Sequence, residues 1–131
     1  MIQIIQLKGT DRRLYELVAP LVMNPDVLKQ NYNYPFRTSE DFVWFVAVEK
    51  RKVIGFIPVE EKKKECIINN YYVEDNNEST LKLLLEKVIS NATAGKELTS
   101  VTFMEHCSLF KELGFSEGKV WTRYVKMKKD R

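Results

Sequence analysis

"FVWFVAVEKRKVIGFIPVEEKKKECIINNYYV", residues 42–73, holds three runs rich in β-branched and aromatic residues, separated by "EKRK" and "EEKKKE". Runs of that length and composition are strands, and short charged connections make them neighbours in an antiparallel meander. Directly after them, Leu81, Leu84, Leu85 and Val88 recur at i, i+3, i+4 and i+7. That spacing puts four apolar side chains on one stripe of a helix, which lies on the sheet the meander starts.

Working outward, residues 2–7 predict a first strand. Thr10 or Asp11 caps a helix whose Leu14, Leu17, Val18 and Leu21 share a face, and which stops between Pro20 and Pro25. Residues 26–30 add a helical turn before "NYNYPFRTSED", residues 31–41. In that loop Tyr32, Tyr34 and Phe36 alternate; they serve either to pin the loop to the core or to form a substrate-binding lip. On the far side, "LTSVTFM" (98–104) reads as a strand, "HCSLFKEL" (106–113) as a short helix ended by Gly114, and "KVWTRYVKMKK" (119–129) as a final strand. The result is an α/β chain with a mixed, mostly antiparallel central sheet flanked by helices.

With 131 residues, 44% hydrophobic and 30% charged, residues 1–131 are expected to form a single domain around one core. Twenty-one basic residues face 18 acidic ones, spread along the chain, so the net charge of +3 is a small surplus and nucleic acid is an unlikely partner. Cys66 and Cys107 have no metal-ligand spacing and suit a reduced, cytoplasmic protein; no metal is expected. The opening "MIQIIQLKGTDRR" lacks the apolar run and cleavage site of a signal peptide, and no window is long enough to span a bilayer. No repeat or low-complexity tract is present.

In this order, "FVAVEKRKVIGFIPV", "INNYYVEDN", "SLFKELGFSEG" and "YVKMKK" resemble the second to fourth strands, the closing helix with its Leu-Gly-Phe turn, and the last strand of the GNAT acyltransferase superfamily. The resemblance covers residues 43–129. It implies a GNAT-like acyl-CoA N-acyltransferase fold in which the fourth and fifth strands splay apart, here near Tyr71 to Val73. Acyl-CoA would lie in the gap and pass its acyl group to a small-molecule or protein amine. It further implies that Tyr71, Tyr72 and Val73 on the strand, and Asn76, Asn77, Ser79 and Thr80 on the following turn and helix, contact the cofactor. Tyr32, Tyr34 and Phe36 would face the acceptor.

Two features of the family's pattern are absent. Its cofactor loop, Arg/Gln-x-x-Gly-x-Gly/Ala, is replaced by "EDNNEST", which contains no glycine to let backbone amides close around a phosphate. Asp75 and Glu78 have the spacing of a capping box there, and Glu74, Asp75 and Glu78 oppose an anion. The family's general-acid tyrosine is replaced by Phe110, so no catalytic residue is assigned; His106 reads as a partly exposed structural residue. Tyr71, Tyr72 and Tyr124 are the phenols closest to the expected cleft. Asn69 and Asn70 in mid-strand predict a bulge or a buried partner.

The expectation is therefore a divergent acyl-CoA-dependent N-acyltransferase that binds acetyl-CoA weakly, or alternatively a catalytically silent GNAT-like module that has lost acyl-CoA and binds a protein or small ligand through the same cleft. The β-rich C-terminus is a candidate for homodimer pairing.

Overall fold

The computed structural model describes residues 1–92 and 95–130. In chain order these form β1 (Gln3–Lys8), α1 (Arg12–Val22), α2 (Pro25–Gln30), β2 (Phe42–Glu49), β3 (Lys52–Glu61), β4 (Glu65–Ile68), β5 (Tyr72–Val73), α3 (Glu78–Ser90), β6 (Glu97–Phe103), α4 (Cys107–Glu112), β7 (Phe115–Val120) and β8 (Tyr124–Lys129). The sheet runs β1-β2-β3-β4-β6-β8-β7, with β5 also paired to β3. All pairings are antiparallel except β4 with β6, which is parallel.

Helices cover both faces. α3 buries Leu81, Leu84, Leu85 and Val88, the stripe read from the sequence, and with α4 forms a core against Phe45, Ile57, Ile68, Phe103 and Val125. Burying each such side chain contributes about 1.5–3 kcal/mol. On the opposite face α1 and α2 lay Leu14, Val18 and Val27 against Trp44, Val46, Phe56 and Tyr72. Asp11 caps α1 by accepting the Arg13 amide at 2.8 Å, and α1 runs through Pro20 to Val22.

Residues 119–129, predicted as one strand, are instead split between β7 and β8 by a turn at residues 121–123. β7 exposes five of its six residues, so its sequence carries no apolar alternation to announce a strand.

Between β4 and β5 the register against β3 changes. Glu60 faces Ile67, and unbroken pairing would bring Phe56 opposite Tyr71; Phe56 faces Tyr72 instead. One extra residue is thus held in segment 69–71, a bulge that turns the strand. Cys66 and Ile68 before it, and Tyr71 and Val73 after it, all lie in the α3/α4 core. Gly55, opposite Val73 just past the bulge, packs tightly: a Cβ there would lie 2.8 Å from the Tyr72 carbonyl oxygen.

Candidate functional site

The bulge opens the sheet. Parallel pairing of β4 with β6 ends at Ile68 and Ser100, and beyond it β5 pairs only with β3 while residues 101–103 pair only with β8. The strands therefore diverge immediately after Ile68, three residues earlier than predicted. Both mid-strand asparagines find partners: Asn70 is buried and donates to the Pro35 carbonyl at 3.0 Å, and Asn69 reaches Glu60 Oε1 at 3.5 Å.

Side chains fill the mouth of the gap. Tyr71, 2% exposed, accepts the Phe103 amide proton at 3.1 Å, and its ring packs edge-on against Phe103 at 5.1 Å. Its hydroxyl also lies 2.7 Å from His106 Nδ1, while His106 Nε2 lies 2.8 Å from Asn76 Oδ1. Since an amide oxygen only accepts, Nε2 carries the imidazole proton and Nδ1 accepts the one from Tyr71. The chain Phe103 amide, Tyr71, His106, Asn76 thus spans the gap from β6 to the turn before α3. Burial holds His106 below its ordinary pKa of 6.5, against the opposing pull of Glu105 and Glu78. Burial likewise pushes the Tyr71 phenol well above 10. His106 is 1% exposed, so the expectation of a partly exposed histidine is corrected. A second closure lies beside it, where Gln30 Nε2 donates to the Val73 carbonyl at 3.0 Å.

The turn before α3 also departs from its sequence reading. Asn77, not Asp75, caps the helix: its Oδ1 accepts the Thr80 amide at 3.1 Å. Asp75 and Asn76 sit in the left-handed region, both at φ 55°, so the helix starts two residues later than the Asp75–Glu78 pattern implied. Thr80 is buried and Ser79 exposed. Among the described residues nothing accepts the amides of Glu78 and Ser79, which open α3, a helix long enough to carry a dipole. Glu74 is neutralised by Lys52 at 2.6 Å, leaving Asp75 and Glu78 as the carboxylates at this end.

Two cavities flank the gap. One of about 560 Å³ lies between α1–α2 and the ends of β5 and β6; its ionisable side chains besides Tyr72 are Asp26, Glu74, Asp75 and Glu105, all acidic. The other, about 230 Å³, is bounded by Asn31, Tyr34, Asn69, Val101, Trp121 and Tyr124. Tyr32 lies beside it, packed on Phe103 and Tyr124 at 5.9 and 5.8 Å. Phe36 points elsewhere, into the α1/α2 core against Phe56 at 5.0 Å, and Tyr72 packs in that same core. Of the residues read from the sequence, Tyr71, Val73 and Asn76 meet at the gap, Tyr34 lines the smaller cavity, and Phe36 is packing. Sequence reasoning missed Gln30, Asn31, Phe103 and Trp121.

Phe110 is fully buried, 5.1 Å from Phe115 and 6.0 Å from Tyr71. It is a core residue. The backbone of this site suits an acyl-CoA, through the free strand edges and the α3 amides; the side chains in this conformation do not, because Tyr71 and Gln30 hold edge groups that an extended arm would use. Among the described residues no group of three His, Cys, Asp or Glu is arranged to hold a metal, and no helix is long and apolar enough to cross a membrane.

No family model matches the sequence, and no curated protein does. Solved structures match over nearly the whole chain. ElaA of Escherichia coli superposes with a TM-score of 0.79 at 12% identity, covering 98% of this chain and 99% of its own. An acyl-CoA N-acyltransferase from Pseudomonas aeruginosa gives the same score and identity, covering 99% and 100%. A GNAT family acetyltransferase from Elizabethkingia anophelis, solved with acetyl-CoA bound, gives 0.61 at 16% identity, covering 97% and 94%. At these identities the likeness is one of architecture, and together with the bulged, splayed sheet it establishes that the chain has the fold of the GNAT acyl-CoA N-acyltransferases.

Proposed function

We propose that the protein is a divergent acyl-CoA-dependent N-acyltransferase acting on an amine. The observation that carries this reading is the retained bulge at residues 69–71. It separates Tyr72–Val73 from residues 101–103 and leaves two strand edges facing a gap, where an extended ligand adds as a strand would. A thioester bound there supplies an electrophilic carbonyl and a leaving thiolate. The chain's own contribution is to hold protons and exclude water. Tyr71 keeps its phenolic proton at neutral pH, His106 beside it is a neutral base, and Asn76 connects the pair to the surface. The α3 amides of Glu78 and Ser79 are the groups available to a phosphate.

A second reading, a binding module that has lost acyl-CoA, is favoured by the Tyr71–Phe103 and Gln30–Val73 hydrogen bonds that close the gap. One experiment separates the two. Acetyl-CoA is titrated calorimetrically into the protein and into Gln30→Ala, and thiol release is followed with a panel of amines. The acyltransferase reading expects a dissociation constant on the order of 0.1 mM or weaker, tighter binding by the variant, and amine-dependent thiol release. Absence of binding by both proteins would leave the silent module.

A further inference from the structure

The smaller cavity beside the gap has a chemical character that points to one class of ligand. Every side chain lining it is uncharged: the rings of Tyr34, Trp121 and Tyr124, the Val101 side chain, and the amides of Asn31 and Asn69. Its volume of about 230 Å³ falls below the ~300–1,000 Å³ of drug-sized sites, which suits one ring with a short tail. Three aromatic rings favour a ring body by stacking and an ammonium by cation–π attraction.

Asn31 adds a specific polar requirement. It is 2% exposed and its Nδ2 donates to the Tyr34 carbonyl at 3.1 Å, while its Oδ1 is buried without a donor. A buried amide oxygen left in this state costs free energy that a ligand N–H recovers. Asn31 is followed directly by Tyr32 and Asn33 at φ 52° and 62°, a conformation that costs non-glycine residues energy, so this turn is the part that gives way for a ligand to reach the oxygen.

Two nearby cations set the charge limit. Arg123 stacks on Tyr32 with its guanidinium carbon 4.3 Å from the ring centroid, and Lys119 lies 5.2 Å from that of Trp121. One cation on a lining ring and one on a ring beside the cavity oppose a polycation far more than a monocation. The site also adjoins the gap, since Tyr124 packs on Phe103 at 5.3 Å and Phe103 on Tyr71 at 5.1 Å.

We propose that this cavity binds the acceptor, and that the acceptor is an arylalkylamine: a primary amine with one positive charge and an uncharged, ring-bearing body. Its nitrogen meets Asn31 Oδ1 and its ring the faces of Tyr34, Trp121 and Tyr124. That the occupant is an acceptor rests on the acyltransferase reading; the ligand class does not.

Saturation-transfer NMR with 2-phenylethylamine, butylamine and spermidine, without acetyl-CoA, tests the class directly. Expected are saturable binding of 2-phenylethylamine with a constant on the order of 1 mM, and binding of the other two at least about tenfold weaker. Tyr34→Ala, at an exposed position, and Asn31→Leu should each weaken 2-phenylethylamine at least about fivefold. If Asn31→Leu unfolds, Tyr34→Ala decides. Spermidine binding as well as 2-phenylethylamine, an unchanged affinity in Tyr34→Ala, or no saturable binding by any amine at about 10 mM would overturn the proposal. Acetyl transfer to spermidine alone would uphold the acyltransferase while removing this ligand class. Binding of 2-phenylethylamine without transfer would do the reverse.

Discussion

The hydroxyl of Tyr71 accepts the amide proton of Phe103 across 3.1 Å, joining two strands that share no ladder hydrogen bond at that level. The same oxygen donates to His106. A sheet that the bulge pulls open is thus closed again by one phenol.

Tyr71→Phe removes that oxygen and leaves the Phe103 amide and His106 Nδ1 without partners in a buried site. Each buried group left unsatisfied costs about 1–3 kcal/mol, so the variant should unfold at lower urea concentration with an unchanged m-value. A midpoint equal to that of the unmodified protein would mean the gap admits water. Under the acyltransferase reading thiol release should fall as well, because the proton-bearing group in the gap is gone.

Stability should depend on pH at both ends. His106 is held below 6.5 by burial, so as pH falls through 6.5 the unfolded chain takes up a proton that the folded protein refuses, and stability drops. Tyr71 is raised above 10, so as pH climbs past 10 the unfolded chain loses a proton that the folded protein keeps, and stability drops again. Urea midpoints measured from pH 5 to 11 check this. His106→Gln should flatten the acid limb and spare the alkaline one.

Asp75→Asn with Glu78→Gln should raise acetyl-CoA affinity about tenfold or more at low salt, by removing two charges from the α3 N-terminus. Asn77 carries the cap, so capping is kept and the helix loses only the about 0.3–1 kcal/mol that the Glu78 charge contributes at its N-terminus, and Asn suits the left-handed backbone at position 75 at least as well as Asp. Calorimetry on both forms at two salt concentrations measures it. No change in affinity would place the phosphate somewhere other than this turn.

Phe110→Tyr places a phenol where the resemblance puts the general acid. Phe110 is fully buried among apolar rings, so the added hydroxyl enters a site without an evident partner and should cost about 1–3 kcal/mol of stability, with no gain in thiol release. A large gain in turnover would show that α4 can move to present it.

The meander and α3 were legible because their signals are local: β-branched and aromatic runs split by charged turns in residues 42–73, and four apolar residues on one helical stripe. β7 was not legible, because Ser116, Glu117, Gly118 and Lys119 all face water and make no alternation. The cap was misread for a related reason, since Asp75, Asn76 and Asn77 can each cap a helix, and only the two left-handed residues decide that Asn77 does. Asn69 and Asn70 did announce the bulge. What no local pattern carried was the closure of the gap, whose partners, Tyr71 with Phe103 and Gln30 with Val73, lie 32 and 43 residues apart.

The extra residue in segment 69–71 makes the length of this stretch a discrete setting. Deleting one residue there would let β4 run into β5 in unbroken pairing with β3, with Tyr72 still opposite Phe56 and Tyr71 still on the α3/α4 face. No point substitution takes out the extra residue in this way. Access to the interior of this sheet is therefore encoded by a count: one residue more than regular pairing needs opens it, and a single-codon deletion would close it with the flanking core side chains still in place.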